Sequence, residues 1–402
     1  MDLMGMNLKD VSVEEVRGSG KGNVSADTEE EEGCVGAPEF CNLTREEYVR
    51  MLEAYVRPQP YEWALIATHG AVLAAGLAGN ALVCVAVYRN RAMRTVTNYF
   101  IVNLAVADFL VLLFCLPPTV LWDVTETWFL GEALCKILLY FQSVSVTVSV
   151  LTLTSISLDR WYAICFPIEF KSTTGRAHTA ILLIWLVSLL FNSPELVVLT
   201  TVRAVPLRFG LQYLVQCVAT WSATSDLVWH VVKLLLIYTI PLLVMTVAYH
   251  QIVRVLWSSD KIPGQDTTKL ASAEQCQLRS RRKAAKMLVA VVVMFAVCYF
   301  PVHLLSVLRY AVELEQGDAV TCLALVSHVL CYANSAANPL IYNFMSDKYR
   351  REFRRAFCCR AKPSREPLTL TTRTSSRSRR AGSRYLCHPA ALRSGYRNSY
   401  LP

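Results

Sequence analysis

Along the chain, long apolar runs alternate with short connectors in which charged residues collect. A helix rising 1.5 Å per residue needs about 20 apolar residues to cross ~30 Å of hydrocarbon. Seven runs meet that length, at 62–87, 98–121, 132–164, 179–199, 226–256, 284–310 and 320–344. The pattern predicts an all-α membrane protein, a seven-transmembrane-helix bundle. Beyond residue 344, basic and aromatic residues alternate, with Tyr349, Phe353 and Phe357 spaced to share one helical face. This spacing predicts a short amphipathic eighth helix on the membrane surface, over 345–359. The chain therefore divides into an extracellular, glycosylated tail (1–61), the seven-helix domain (62–344), the surface helix and a Ser-, Thr- and Arg-rich tail (360–402) expected to be disordered and open to phosphorylation.

Charge sets the direction of insertion, because short cytoplasmic loops collect Lys and Arg. Arg89, Arg91 and Arg94 follow the first run, Lys171 and Arg176 the third, and Lys348, Arg350 and Arg351 the seventh; Arg279, Arg281, Arg282, Lys283 and Lys286 precede or open the sixth. Acidic residues occupy the alternate connectors: Asp123 and Glu126, then Glu313, Glu315 and Asp318. The expectation is a multi-pass plasma-membrane protein with its amino terminus outside and its carboxyl terminus in the cytoplasm. Two glycan acceptor triplets, at Asn23 and Asn42, fall in the outer segment. The opening residues carry no basic stretch leading into an apolar one, so the first span is expected to direct insertion.

Composition supports that picture. The 402 residues are 54% hydrophobic and 18% charged, against roughly a quarter charged in ordinary soluble domains. The net charge of +9 belongs to loops and tail, which argues for membrane orientation and against a nucleic-acid partner. Fourteen cysteines show no paired metal-ligand spacing. Cys358 and Cys359 close the surface helix, where juxtamembrane cysteines are candidates for palmitoylation.

Polar residues inside the spans carry the functional signal, since a centred charge costs about 2.5–3.5 kcal/mol on insertion scales. In order these are Gly79-Asn80, Leu104-Ala105-Val106-Ala107-Asp108, Asp159-Arg160-Trp161, Trp185, Pro241 with Tyr249, Cys298-Tyr299-Phe300-Pro301 and Asn338-Pro339-Leu340-Ile341-Tyr342. This series resembles the rhodopsin-like (class A) G-protein-coupled receptors from residue 62 to 359. Within that class the chain is most similar to the orexin and allatotropin neuropeptide receptors, with a leaning to the invertebrate allatotropin branch. The carrying residues are Trp161 after Asp159-Arg160, the stretches 95–103 (TVTNYFIVN) and 123–131 (DVTETWFLG), Gln142 to Val146, Cys298-Tyr299, and Tyr332 to Pro339.

The resemblance implies roles residue by residue. A disulfide would join Cys135 to Cys217 and pin the loop between the fourth and fifth spans; Cys34 and Cys41 are candidates for a second. An extracellular peptide would meet Asp123, Gln142, Glu195, His230, Lys233, Tyr238, Tyr299, His303, His328 and Tyr332. The neutral amide of Gln142 argues against an amine ligand, and the absence of a lysine at Tyr332 argues against retinal. Each histidine equally fits a purely interhelical hydrogen-bonding role. Lys233 and Glu195 depart from the orexin-type pattern, as does Ser306. They could pair with each other or meet charges on the peptide, and Lys233 could instead snorkel outward. Asp108, Ser149, Asn334, Ser335 and Asn338 form a candidate sodium site, with a bare hydrogen-bonded cluster as the alternative.

For transmission, Pro241, Val150 and Phe295 would pack beneath Tyr299, with Pro301 bending the sixth span. Asp159 would hold Arg160 at rest. Arg160, Tyr249 and Tyr342 would line the opened cleft, with Trp161, Asn338 and Pro339 completing the coupling set. Arg281 stands where many relatives carry an acid. The implied function is peptide-driven opening of the sixth helix and activation of a heterotrimeric G protein, with Gq and calcium signalling and with arrestin and receptor kinases as later partners. No cofactor is expected beyond the sodium ion. A channel or transporter would show repeats and a continuous polar path, and none is present; no nucleophile and base set suggests an enzyme.

Overall fold

The computed structural model describes residues 42–167, 173–204, 207–258, 270–311 and 318–357. Six helices are long and apolar enough to cross a membrane by length and composition: Pro60–Arg89, Val96–Thr125, Gly131–Cys165, Thr174–Val198, Ala223–Ser258 and Gln277–Arg309. A seventh long helix, Asp318–Met345, carries Ser327, Asn334, Ser335 and Asn338 on its buried side. It packs between the sixth and first spans and closes the bundle. The two ends are called outer and inner after the charge pattern.

Local signals set the helix limits. Pro60 opens the first span, and the Gln59 backbone N–H donates to Glu62 Oε2 at 2.7 Å. The second span breaks at Cys115 ahead of Pro117 and Pro118, and ends at Glu126 with φ +48°. The fifth widens to a π turn over Leu234–Thr239, directly before Pro241, whose ring nitrogen offers no hydrogen to the preceding turn.

Lipid tails are as apolar as Leu, so side-chain hydrogen bonds and close packing must hold the spans together. Asn103 joins three of them: its amide donates to Thr152 Oγ1 at 2.8 Å and its carbonyl accepts from Trp185 Nε1 at 2.8 Å. Ser145 Oγ donates to the Ala107 carbonyl at 2.9 Å, and Asn192 Nδ2 to Thr147 Oγ1 at 3.0 Å. Pro339 lacks the N–H that would bond the Ser335 carbonyl, and Asn80 Nδ2 donates to that carbonyl at 3.0 Å. Gly79 makes this approach possible.

At the outer end, β1 (Leu199–Arg203) and β2 (Val215–Ala219) pair antiparallel with Thr201 opposite Cys217. Cys217 is bonded to Cys135 at the start of the third span. Trp128 N–H donates to the Val215 carbonyl at 2.7 Å, and Leu214 N–H to Thr127 Oγ1 at 3.0 Å, so the loop after the second span seats the hairpin.

The segment expected to be a plain amino-terminal tail contains a helix, Arg45–Tyr55. Thr44 and Glu47 cap it reciprocally, and Tyr48 and Leu52 bury themselves against Leu207 and Leu214. Tyr55 OH donates to Glu126 Oε2 at 3.0 Å. Asn42 is exposed just before the cap. Asn23, Cys34, Cys41, Lys171, Glu313, Glu315, Cys358, Cys359 and the side chain of Phe357 lie outside the described residues. The surface helix, Asp347–Phe357, turns Tyr349 and Phe353 into the bundle.

A Cβ added to Gly79 would meet the Pro339 ring at 2.7 and 2.9 Å, and a proline ring cannot rotate away. Gly79→Ala is therefore expected to cost about 1–3 kcal/mol through overpacking, read as a lowered melting temperature in detergent. Gly70→Ala, with nothing within 4 Å, serves as the neutral control.

Candidate functional site

Two separate polar groups occupy the outer half of the bundle. In the first, Glu195 follows Pro194 in the short helix Pro194–Val198, and Lys233 ends the helical stretch Ala223–Lys233. Lys233 Nζ lies 3.2 Å from Glu195 Oε1, and Trp229 Nε1 donates to the same oxygen at 3.4 Å. The ammonium also sits 5.6 Å from the Trp229 ring centre, a cation–π contact. The structure thus pairs the two residues whose departure from the family pattern stood out. Among the described residues, Glu195 Oε2 is buried without a hydrogen-bond partner. Lys233 is the charged neighbour of His230 and His303. His230 Nδ1 donates to the Asp226 carbonyl at 2.9 Å, and His303 faces Tyr238 with ring centres 5.2 Å apart.

In the second group, His328 Nδ1 donates to Asp123 Oδ2 at 2.9 Å. Nearby, the hydroxyls of Tyr332 and Thr119 share a hydrogen bond of 2.8 Å, and the His69 ring meets Tyr332 edge-on at 6.2 Å. His69 and Thr119 were missed from the sequence. His69 carried a usable signal, being an ionisable side chain in an otherwise apolar stretch. Gln142 lies half-buried on the third span between the two groups in chain order, without bringing them into contact. A groove of about 410 Å³ lies beside the first group, lined by Trp221, Thr224, Ser225, Val228, Trp229 and Val232. None of the ten expected ligand residues lines it, and its Val228 is exposed.

Beneath these groups the rings stack downward. Tyr299 and Phe295 lie 4.9 Å apart and Tyr238 and Phe295 6.0 Å apart, while Tyr238 OH donates to the Ala296 carbonyl at 2.8 Å. Val150 and Pro241 are buried at the same core. Pro301 lies within the sixth helix above them.

At the middle, Asp108 is 1% exposed and accepts from Ser335 Oγ and Asn338 Nδ2, both at 2.8 Å. Ser149 and Asn334 are buried without bonding it. Asn80, Asn334 and Asn338 each keep a buried side-chain carbonyl oxygen without a hydrogen-bond partner among the described residues. A carboxylate with such oxygens has the hard-oxygen chemistry of a monovalent cation site, so the residues fit the expected ion.

At the inner end, Arg160 pairs with Asp159, its Nε lying 3.0 Å from Oδ2. Trp161 Nε1 donates to Gln251 Oε1 at 2.6 Å and ties the third span to the fifth. A cavity of about 140 Å³ is lined by Arg160, Tyr249 and Arg281 among apolar neighbours. Tyr342 does not line it. Its ring stacks on Tyr349 at 5.4 Å, so in this arrangement the seventh span faces the surface helix instead.

Residues 79–342 match the family described as 7 transmembrane receptor (rhodopsin family). The chain belongs to that family. It is a seven-transmembrane G-protein-coupled receptor, from a class of receptors rather than enzymes, and a multi-pass membrane protein. The receptor is 32% identical over 293 residues to a QRFP-like peptide receptor of Branchiostoma floridae, covering 72% of this chain and 76% of that protein.

The Lys233–Glu195 pair yields a test. Lys233→Met leaves a 7% exposed carboxylate without its cation and is expected to destabilise the receptor by up to about 3 kcal/mol, the low end for a buried pair because Lys233 itself is 23% exposed. Adding Glu195→Gln should recover most of that loss. Thermal melting of the two singles and the double measures it, and additive losses would mean that the groups do not act as a pair.

Proposed function

We propose that this receptor sits in the plasma membrane with its amino terminus outside, binds an extracellular neuropeptide at its outer end and activates a heterotrimeric G protein of the Gq type, raising calcium. The reading is carried by one arrangement: two polar groups at the outer end, built on Glu195–Lys233 and Asp123–His328, a buried Tyr299–Phe295 ring stack in the core, and Arg160 at the inner end of the same bundle. Peptides present amides and charged ends at several points, and two separated polar groups, with a neutral Gln142 on the third span, suit such a ligand better than one small amine.

Two ligand readings compete. The motif resemblance points to an allatotropin-like peptide, with orexin-type peptides next. The likeness to a QRFP-like peptide receptor favours a QRFP-type peptide. In either case, the ligand's contacts would bias Tyr299 and Phe295, the sixth span would swing at Pro301, and Arg160 would exchange Asp159 for the G protein. A sodium ion held by Asp108, Ser149, Asn334, Ser335 and Asn338 would favour the resting arrangement. Glycans on Asn23 and Asn42, acyl chains on Cys358 and Cys359, and arrestin and receptor kinases acting on the 360–402 tail complete the proposal.

The test is calcium imaging of transfected cells given allatotropin-like, orexin-like and QRFP-like peptides. One class should respond at nanomolar to micromolar concentration. Arg160→Ala should abolish the response while labelled peptide still binds. Currents or transport that persist without G protein would overturn the reading.

A further inference from the structure

Arg160 and Arg281 line the same inner cavity, and its other lining residues are Tyr249 and apolar side chains. Arg160 already has Asp159 as its partner, and no carboxylate among the lining residues meets Arg281, so this cavity does not itself hold the sixth span closed. The hold must come from elsewhere along that helix. Besides cation–π contacts of Arg282 and Lys286 with Trp257, its inner end makes two polar contacts that matter here. Arg282 Nε donates to the Leu256 carbonyl of the fifth span at 3.0 Å. Lys283 Nζ lies 3.1 Å from Oδ2 of Asp347, the first residue of the surface helix.

Asp347 stands on a fixed platform. Tyr349 OH donates to Asn98 Oδ1 at 3.2 Å, and Asn90 Nδ2 donates to Glu352 Oε1 at 3.1 Å, fastening the surface helix to the first and second spans. Phe353 is buried and Tyr349 stacks on Tyr342. Asp347 also keeps a second cation, with Arg350 Nη2 2.9 Å from Oδ1. When Lys283 leaves, the carboxylate is not left bare, and the contact can break and re-form readily. Lys283 hydrogen bonding and charge hold the Asp347 carboxyl below its ordinary range, so it is ionised at neutral pH.

We propose that the Lys283–Asp347 ion pair is a resting-state latch between the sixth span and the membrane-surface helix. The proposal rests on the reading that the sixth span swings during signalling. Both side chains are largely exposed, at 67% and 57%, so the latch is weak and reversible.

The experiment measures ligand-free nucleotide exchange on a reconstituted G protein, normalised to receptor amount. Lys283→Gln and Asp347→Asn should each raise basal exchange about two- to fivefold, the range an exposed ion pair supports. The double variant should match a single one, and the swap Lys283→Glu with Asp347→Lys should return exchange toward the starting level. In a receptor that exchanges nucleotide when given peptide, unchanged basal exchange in both singles, or additive gains in the double, would overturn the latch. Spin labels at Arg279 and Arg354 supply a readout that needs no G protein: Asp347→Asn should broaden their separation toward longer distances, and an unaltered distribution would overturn the latch. If exchange is absent even with peptide while the label distances shift, the signalling reading fails and the latch stands.

Discussion

The structure depends on how the seventh span deals with its own proline. Pro339 cannot bond the Ser335 carbonyl, and an unsatisfied carbonyl in hydrocarbon costs several kcal/mol. Asn80 of the first span supplies the missing donor at 3.0 Å while also bonding the Gly76 carbonyl at 3.0 Å. That geometry requires the first and seventh helices to touch, which is why the position beside Asn80 is Gly79. Ser335 Oγ and Asn338 Nδ2 then turn to Asp108 of the second span. Three spans are locked through one helix defect. The lock is made of hydrogen bonds, which exchange partners, and not of packed rings, which resist small shifts.

The outer end is built on different physics. A covalent bond between Cys135 and Cys217 and a two-stranded hairpin hold a lid that hydrocarbon cannot reach. Trp122 and Trp128 meet edge-on at 5.4 Å beside the bridge, and the Arg45–Tyr55 helix closes over the far side of the hairpin. A firm outer frame leaves the polar groups beneath it as the adaptable part. Glu195–Lys233 belongs to the fourth and fifth spans, and Asp123–His328 to the second and seventh. A ligand touching both groups therefore acts on four helices at once.

Much of this was legible in the sequence for a simple reason: membrane burial makes every polar residue conspicuous. Seven apolar runs placed the seven long helices to within several residues, and the Cys135–Cys217 pairing and Arg160 beside Asp159 are both present in the structure. What stayed hidden has a physical cause in each case. The Arg45–Tyr55 helix was overlooked because charged residues interrupt it, although Thr44 with Glu47 is a capping-box pattern and Tyr48, Met51, Leu52 and Tyr55 recur at helical spacing. Whether Lys233 would pair or snorkel depended on which way two helices face, and periodicity does not fix that rotation. Tyr342 turning to Tyr349 depended on how the surface helix docks. Trp229 looked like one aromatic among many until its indole met both Glu195 and Lys233.

The distribution of strong and weak contacts along the sixth span sets what signalling can cost. At the core, Tyr299 and Phe295 are buried against Tyr238, so moving them means rearranging a packed stack. At the inner end, the contacts include an exposed ion pair, a carbonyl held by Arg282, and Trp257 under Arg282 at 5.1 Å and Lys286 at 5.8 Å. Moving a two-state equilibrium from 1:99 to 99:1 requires about 5.5 kcal/mol of differential binding. Exposed pairs worth ~0–1 kcal/mol each contribute little to that difference. Most of the resistance to moving the sixth span therefore falls to the buried ring stack and not to the exposed inner contacts. The inner cavity has two arginines and no carboxylate among its lining residues, so at that end only weak contacts such as Lys283–Asp347 are left to hold the sixth span, and they can be changed without touching the buried stack.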